Sequence, residues 1–294
     1  MPRARHALLA TVLAVLTVLG LTAAPAGAIT GGQPDGDQHP NVGLIGFYDA
    51  TGRYRCSATL VTPTVLVTAA HCTADTVGAT VVTFQSRLAE APPSPLPPAA
   101  DPAKGYVPGV DKLPAGWFFG TAFAHPGYSN FTDLRNWNDV GVVVLRWGAD
   151  GAPLAGAPAL PTSRIATPNQ LAAYAQPTLN KTVFTLVGYG TEVRKPESGP
   201  QKPQPFSYPL IRRTTTGPGQ KLTPQVFQLN GNPNDIRGGG GTCFGDSGGP
   251  VLLGGRVVGV TSYGYTDNCR YLGGYQRMDI RVVQDWLATY GVRP

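Results

Sequence analysis

The sequence predicts an all-β protein with one α-helix near its C-terminus. Short runs rich in Val, Leu, Thr and aromatic residues recur between turn signals, over 41–48, 57–70, 80–84, 140–147, 182–190, 225–229 and 250–264. Glycine and proline are abundant, with 38 and 29 residues, which suits turns between many short strands. Only the segment 278–291 has helical apolar spacing, and Asp279 is placed to cap it. The pattern indicates barrels or sandwiches.

The start of the chain has the pattern of a secretory signal peptide. Basic residues precede an apolar stretch over 7–21, and small residues follow. That stretch is shorter than the ~20 residues that a membrane-spanning helix needs, so we interpret 1–28 as a signal peptide rather than an anchor. The small residues predict cleavage after Ala28, with cleavage after Ala26 as the alternative. We therefore expect an extracellular protein whose mature form has no membrane segment.

Export permits disulfides, and the chain has four cysteines, for which three pairings are possible. Pairing nearest neighbours, Cys56 with Cys72 and Cys243 with Cys269, closes two short loops that would each stabilise the fold by ~3 kcal/mol. A zinc site is the alternative, but the chain lacks a Cys-x-x-Cys pair and has only four histidines. We therefore expect no metal.

The charge pattern does not indicate a nucleic-acid partner. The formal net charge is +6, but the basic residues are scattered and form no nucleic-acid footprint.

Two proline-rich stretches interrupt the strands. The stretches 90–114 and 191–209 are rich in proline, so we interpret them as long loops. They are either exposed connections or walls of a cleft.

Three short motifs carry the chemistry. TAAHC ends a strand with His71, NDVGVVVL opens a strand after Asp139, and TCFGDSGGP surrounds Ser247 with glycines. A serine hydroxyl is a weak nucleophile, so acyl transfer needs an imidazole to take its proton and a carboxylate to orient the imidazole. The glycines allow backbone N–H groups to converge into an oxyanion hole. These residue types predict acyl-transfer chemistry.

These motifs, in this order, resemble those of the trypsin/chymotrypsin family of secreted serine endopeptidases, in its bacterial two-disulfide form. ITGG resembles the mature N-terminus of the family, and HPGY resembles the strand entry before the aspartate. GYG resembles the start of the second barrel, and VTSYG resembles the edge strand that pairs with substrate. The resemblance implies two packed antiparallel β-barrels, over residues 29–149 and 150–294, with the C-terminal helix. His71 and Asp139 would lie in the first barrel and Ser247 in the second. It also implies the nearest-neighbour disulfides.

The resemblance assigns a role to each matching residue. His71 would be the general base and acid, Asp139 its orienting partner and Ser247 the nucleophile. Gly245 and Ser247 would supply the oxyanion-hole N–H groups. The ammonium of Ile29, freed by cleavage, would pair with Asp246. The substrate-binding residues would be Gly241, Thr242, Ser262, Tyr263, Gly264 and Gly273, and Ser262 would also contact the buried Asp139.

The primary pocket departs from that of the trypsin-like members. Their pocket floor carries an aspartate six residues before the nucleophile, where this chain has Gly241. With small residues at Gly264 and Gly273, an open uncharged slot favours large apolar or aromatic side chains. Asp267 is an exception to this uncharged lining, since its carboxylate would lie at the rim of the pocket and could point into it.

Two other functions compete with a secreted endopeptidase. A non-catalytic binding module on the same fold usually lacks a triad residue, and all three are present here. An esterase built around G-x-S-x-G would have the order Ser, Asp, His, which this chain reverses. We therefore expect an endopeptidase that acts as a monomer on protein or peptide substrates, without a cofactor.

Overall fold

The computed structural model describes residues 29–145, 159–194, 196, 199 and 202–294. The predicted signal peptide 1–28 and the predicted domain boundary at 149/150 lie outside the described residues. Among the described residues, no helix combines the length and the apolar character needed to cross a membrane.

The described chain is dominated by short strands. Those of the first half are β1 (Gln33–Pro34), β2 (Val42–Asp49), β3 (Gly52–Leu60), β4 (Val65–Thr68), β5 (Val77–Thr83), β6 (Arg87–Ala89), β7 (Trp117–Ala124) and β8 (Gly141–Leu145). Those of the second half are β9 (Arg164–Ile165), β10 (Val183–Gly188), β11 (Glu192–Arg194), β12 (Gln204–Phe206), β13 (Leu210–Ile211), β14 (Arg213–Leu222), β15 (Val226–Asn230), β16 (Pro250–Leu253), β17 (Arg256–Gly264) and β18 (Leu272–Arg277). The α-helices are α1 (Thr178–Lys181) and α2 (Arg281–Ala288), and 3₁₀ turns cover Ala70–Cys72, Pro102–Lys104 and Gln170–Tyr174.

Two closed antiparallel barrels of six strands each form the architecture. The first follows the order β2-β3-β4-β8-β7-β5 and closes on itself. The second follows β14-β10-β16-β17-β18-β15, and the pairing of β14 with β15 closes it. β1 adds to the second barrel through β14, so the segment Gln33–Pro34 pairs with the barrel that the second half of the chain forms. The predicted fold of two packed barrels with a C-terminal helix is confirmed.

The alternation of side chains along β4 explains how the barrels join. Leu66 faces the interior of the first barrel, whereas Val65 and Val67 are buried in the cluster that also fills the second barrel. Residues at i and i+2 of a strand share one face, so a strand with apolar residues on both faces must be covered on both. β8 has the same property, with Val142 on the shared face and Val143 inside the first barrel. The ends of these two strands therefore lie at the junction between the barrels.

Two local predictions need correction. The helix α2 covers Arg281–Ala288, and its N-cap is Ile280, with no side-chain cap. Asp279 does not cap it, because its carboxylate accepts hydrogen bonds from the Arg277 guanidinium at 2.9 Å and from the Leu171 backbone N–H at 2.8 Å. The predicted loop 191–209 contains a hairpin, since β11 pairs with β12.

Both disulfides of the nearest-neighbour pairing are present. Cys56 is bonded to Cys72, and Cys243 to Cys269, across sequence separations of 16 and 26 residues. The first joins β3 to the turn after β4, and the second joins the segment before Ser247 to the loop after β17. Each therefore restrains a segment that contributes to the cleft between the barrels.

Candidate active site

His71 lies at the junction because the chain turns sharply after β4. A 3₁₀ turn over Ala70–Cys72 follows the strand, and a disulfide to Cys56 anchors the end of that turn. The ring nitrogen Nδ1 of His71 lies 2.9 Å from Asp139 Oδ2, and the His71 backbone N–H donates to Asp139 Oδ1 at 2.9 Å. The carboxylate thus holds both the ring and the backbone of the histidine, which orients Nε2 away from Asp139.

Asp139 is fully buried and satisfied by a set of polar neighbours. Ser262 Oγ, on β17, donates to Asp139 Oδ2 at 2.6 Å, and Trp137 Nε1 donates to Ser262 Oγ at 2.9 Å. The Asp139 backbone N–H donates to Gln276 Oε1 at 2.9 Å. A buried carboxylate that is held by several donors is fixed in position, so it can orient the imidazole beside it. Sequence reasoning missed Trp137 and Gln276, because neither belongs to a motif.

Ser247 lies in a glycine-rich loop that is pressed against the first barrel. The Ser57 backbone N–H donates to the Ser247 carbonyl at 2.8 Å, and Ser57 Oγ donates to the Gly245 carbonyl at 2.9 Å. Gly248 has φ +74°, and a Cβ on it would lie 1.9 Å from Thr68 Oγ1. Only glycine fits that position. This close approach brings the Ser247 loop beside the end of β4, and Ser247 lines the same cleft as His71.

Two backbone donors in this loop are unpaired. Within the described part of the chain, the N–H groups of Gly245 and Ser247 have no acceptor, whereas those of Asp246 and Gly248 bond to backbone carbonyls at 3.0 and 2.8 Å. Gly245 adopts φ +95°, which a residue with a side chain rarely takes. Free, fixed N–H groups beside a serine can stabilise an oxyanion that forms on a bound carbonyl.

Asp246 is buried next to this loop. Its carboxylate oxygens accept hydrogen bonds from the backbone N–H groups of Gly190 and Cys243, at 2.7 and 2.8 Å, and it forms no ion pair with a described residue. Burial raises the pKa of Asp246 to about 7, although these hydrogen bonds lower it. Ile29 is also fully buried. A buried carboxylate without a hydrogen-bonded cation is costly, so this site would favour an incoming positive charge.

A small cavity of about 170 Å³ lies beside Ser247. Thr242, Ser262, Tyr263 and Gly264 line it, together with Phe244, Ser247 and Asp267 among others. Gly241 and Gly273 are not among its lining residues. The Gly241 backbone is paired with Thr30, and a Cβ on Gly273 would meet the Tyr275 hydroxyl at 2.4 Å.

The edge of β17 beside this cavity is open. β16 pairs with β17 only as far as Pro250 opposite Val260, so Ser262–Gly264 has β18 as its one strand neighbour among the described residues. An extended peptide can add to such an edge by main-chain hydrogen bonds. The small cavity would then receive a side chain of that peptide.

Aromatic side chains cover the His71 side of the cleft, and the sequence motifs did not indicate them. The ring of Phe131 lies 5.5 Å from that of His71 and 5.2 Å from that of Trp137, and Trp137 lies 5.3 Å from Tyr263. Phe131 has φ 62° and is 41% exposed. An exposed phenylalanine in left-handed backbone is unusual, and here it places an apolar ring against the histidine.

The site offers no thiolate for a metal. The ligand atoms of Cys56, His71 and Cys72 lie within 4.8 Å of one another, but the two sulfur atoms are joined in a disulfide. In the described part of the chain, no other group of three His, Cys, Asp or Glu residues is close enough to hold an ion.

Two closed six-stranded barrels, with a cleft lined both by a serine and by a histidine that contacts a buried aspartate, are the architecture of the chymotrypsin fold. The sequence model of the family Trypsin matches residues 120–287, which is more than half of the chain. The chain belongs to this family and is a serine endopeptidase.

Known proteins agree with this assignment. The chain is 27% identical over 239 residues to a trypsin of Saccharopolyspora erythraea, covering 80% of this chain and 86% of that protein. Among solved structures, HL collagenase is similar with a TM-score of 0.57 at 16% identity, over 87% of this chain and 95% of that one. The thermostable serine protease AL20 from an extremophilic microorganism gives 0.55 at 18%, over 87% and 98%. At these identities the structures show the fold alone.

Proposed function

We propose that this endopeptidase is secreted and cleaves peptide bonds through an acyl-enzyme, with His71, Asp139 and Ser247 as its triad. Ser247 Oγ attacks the scissile carbonyl carbon while His71 Nε2 takes the hydroxyl proton. His71 then gives that proton to the leaving amine, and a water molecule, activated by the same nitrogen, hydrolyses the acyl-enzyme. The N–H groups of Gly245 and Ser247 stabilise the oxyanion.

One observation carries the proposal: His71 Nδ1 lies 2.9 Å from the buried Asp139 carboxylate, while His71 and Ser247 line one cleft. An Nδ1–H that donates to a carboxylate leaves Nε2 free as a base, which is the tautomer that the reaction requires. The unpaired N–H groups of Gly245 and Ser247 support the same chemistry.

The small cavity beside Ser247 favours a large apolar or aromatic side chain before the cleaved bond. Gly241 stands at the sequence position where a basic specificity would need an acid, and a Cβ on Gly264 would meet no atom within 4 Å, so that wall is open. Asp267 is the only charged residue of the lining, and it is exposed. Water screens an exposed carboxylate, so it attracts a basic side chain only weakly.

Activation and export are coupled in this proposal. Signal cleavage after Ala28 produces the ammonium of Ile29 directly, and that ammonium pairs with Asp246. The buried, cation-free carboxylate of Asp246 supports this pairing. Cleavage after Ala26 would instead leave a dipeptide that a second protease must remove. N-terminal sequencing of the freshly secreted protein decides, since an inactive protein that begins at Gly27 contradicts the coupling.

Labelling with a fluorophosphonate tests the triad. The secreted protein is expected to react at Ser247 and to cleave quenched peptides, while Ser247→Ala and His71→Gln lose both activities by at least about 10³-fold. Ser163→Ala, outside the cleft, is the matched control and should retain activity. A folded wild-type protein that remains unlabelled and cleaves no peptide would instead be a non-catalytic binding module.

A peptide library tests the pocket. With the rest of the peptide constant, Phe, Tyr or Leu before the cleaved bond should be preferred over Lys and Arg. A preference for Lys or Arg that disappears in Asp267→Asn would assign basic specificity to Asp267 and overturn this part of the proposal.

A further inference from the structure

A second, larger cavity of about 640 Å³ adjoins Ser247. It shares Phe244 and Ser247 with the small cavity described above, but the open edge of β17 borders the small cavity alone. A peptide that adds to β17 places its residues before the cleaved bond on the small-cavity side. The residues after the cleaved bond must therefore continue past Ser247 into the larger cavity.

Arg55 is the arginine of this larger cavity whose guanidinium has poor hydrogen-bond partners. Its Nε is buried without a hydrogen-bond acceptor, and the contact of its Nη2 with the Ser207 carbonyl is long, at 3.5 Å. It forms no ion pair with any carboxylate of the described residues. Burial lowers the pKa of the Arg55 guanidinium, while the field of Asp246 opposes that shift. A guanidinium held with unused donors costs free energy that an anionic ligand would recover.

The other charged groups of the cavity are already engaged. Arg53 Nη1 donates to the carbonyls of Leu96 and Pro97, at 2.9 and 3.1 Å. Asp49 Oδ1 accepts from the backbone of its own turn, at 2.7 and 3.0 Å. Among the described residues that line this cavity, Arg55 is consequently the cation whose donors are the least engaged.

Arg55 also lies close to the Ser247 loop, beside the path that a bound peptide would follow. Its Nε lies 3.1 Å from the position that a Cβ on Gly245 would occupy, and Gly245 is two residues before Ser247. An extended peptide advances about 3.3–3.6 Å per residue, so its first two residues after the cleaved bond pass within reach of Arg55.

We propose that Arg55 selects an acidic residue, Asp or Glu, at the first or second position after the cleaved bond. A carboxylate matches the fork of guanidinium donors, and such charge-assisted hydrogen bonds are stronger than neutral ones. This inference rests on the proposed function, because it requires that the cleft bind a peptide across Ser247.

Quenched peptides that differ only after the cleaved bond test the inference. Each carries Glu, Gln or Lys at the first or the second position, on one constant sequence before the bond. For the wild-type enzyme, kcat/KM at one of the two positions should be about tenfold higher for Glu than for Gln, and lowest for Lys. The Glu/Gln ratio should fall with rising salt concentration.

Variants at Arg55 identify the source of the preference. Arg55→Gln should bring the Glu/Gln ratio close to one, and Arg55→Lys should retain part of it. Arg281→Gln, which removes an exposed arginine on α2, is the matched control and should leave the ratio unchanged. Because both peptides are measured on one enzyme preparation, any loss of folded protein cancels in the ratio.

The outcomes separate this inference from the proposed function. Efficient cleavage with a wild-type Glu/Gln ratio near one at both positions overturns the role of Arg55 while the triad stands. A ratio that persists in Arg55→Gln also overturns it. If no peptide is cleaved and Ser247 is not labelled, the proposed function itself fails.

Discussion

The carboxylate of Asp139 shows how much of this site depends on single side chains that are distant in sequence. Ser262 donates to it, and Trp137 in turn donates to Ser262, so one hydroxyl is both donor and acceptor in a buried chain. The two partners of Ser262 are separated from it by 123 and 125 residues in sequence. Removing this hydroxyl therefore leaves two buried polar groups with one partner fewer each.

Replacing Ser262 is expected to reduce catalysis rather than binding. In Ser262→Ala, Asp139 loses a charge-assisted donor, which is worth ~1.5–3 kcal/mol, so kcat should fall about 10- to 100-fold with little change in KM. Steady-state kinetics on one peptide measure this. Ser163→Ala, which removes a hydroxyl bonded to Asn41 Nδ2 at 2.8 Å, is the control. An unchanged kcat in Ser262→Ala would show that the hydroxyl does not support Asp139.

At this scale the sequence predicted residue types better than residue contacts. His71, Asp139 and Ser247 were recognisable because each lies in a short motif. Gln276 carries no local signal, and its contact with the Asp139 backbone spans 137 residues. Only the pairing of strands from two barrels brings such groups together.

Among the elements, the segment before β2 is attached to the second barrel by a buried ion pair. Arg212 Nε donates to Asp35 Oδ2 at 2.8 Å, and both side chains are fully buried. His39 also contacts the Asp35 carboxylate, and Arg212 donates to the carbonyls of Gly36 and Val42 as well. Burial raises the pKa of Asp35, but the hydrogen bonds from His39 and Arg212 outweigh it and lower the pKa overall. The Asp35–Arg212 pair therefore anchors the segment that begins at Ile29 to the second barrel.

Breaking this pair should destabilise the protein strongly. In Asp35→Asn, Arg212 remains buried without its counter-ion, and the free energy of unfolding should fall by about 3–5 kcal/mol. Urea unfolding at neutral pH measures this loss. Asp285→Asn, which breaks the exposed pair Arg281–Asp285 on α2, should cost less than about 0.5 kcal/mol.

Lowering the pH should remove the stabilisation that the ionised carboxylate of Asp35 provides. Because the folded pKa of Asp35 is lowered, its charge stabilises the fold above the unfolded value of 3.8, and that stability is lost as pH falls through the folded value. Equal losses in Asp35→Asn and Asp285→Asn at neutral pH would contradict a structural role for the buried pair.

The helix α2 shows where element-level reasoning succeeded and where it failed. Its apolar spacing was sufficient to predict a helix that buries Val283 and Leu287. The role of Asp279 was predicted wrongly, because a local capping rule does not include the Arg277 guanidinium and the distant Leu171 N–H that bind this carboxylate instead.

For the whole molecule, the decisive feature is that the two barrels are joined by buried apolar side chains and meet at the cleft. Val65, Val67 and Val142 from the first barrel belong to the cluster that fills the second. A change at the chain start can therefore act on the Ser247 loop, since the segment that begins at Ile29 adds to the second barrel and Asp246 lies inside the same junction.

Asp246 predicts opposite pH behaviour before and after cleavage at Ile29. In the uncleaved chain burial raises its pKa to about 7, above the unfolded value of 3.8, so its favourable contribution is present below pH 3.8 and is lost as pH rises towards 7. The loss is on the order of 4 kcal/mol at most. In the cleaved chain the ammonium would lower this pKa and remove the loss.

Unfolding measurements on the uncleaved chain can detect the titration of Asp246. The uncleaved chain carrying Ser247→Ala, which prevents self-digestion, is titrated with urea between pH 4 and pH 7.5, alone and with Asp246→Asn. The free energy of unfolding should decline more steeply with pH when Asp246 is present. Equal slopes in the two proteins would show that Asp246 does not titrate in this range.

The sequence by itself determined the class of fold and the protease family, because these depend on local signals: strand and turn composition and the residues around His71, Asp139 and Ser247. The cysteine pairs and the contact of Ser262 with Asp139 followed from the family resemblance. The tertiary structure alone decided that Gln276 binds the Asp139 backbone, that Asp35 pairs with Arg212, and where Arg55 lies in the larger cavity. These contacts depend on barrel closure and strand register, which bring together groups more than a hundred residues apart. No local pattern encodes which of them will meet.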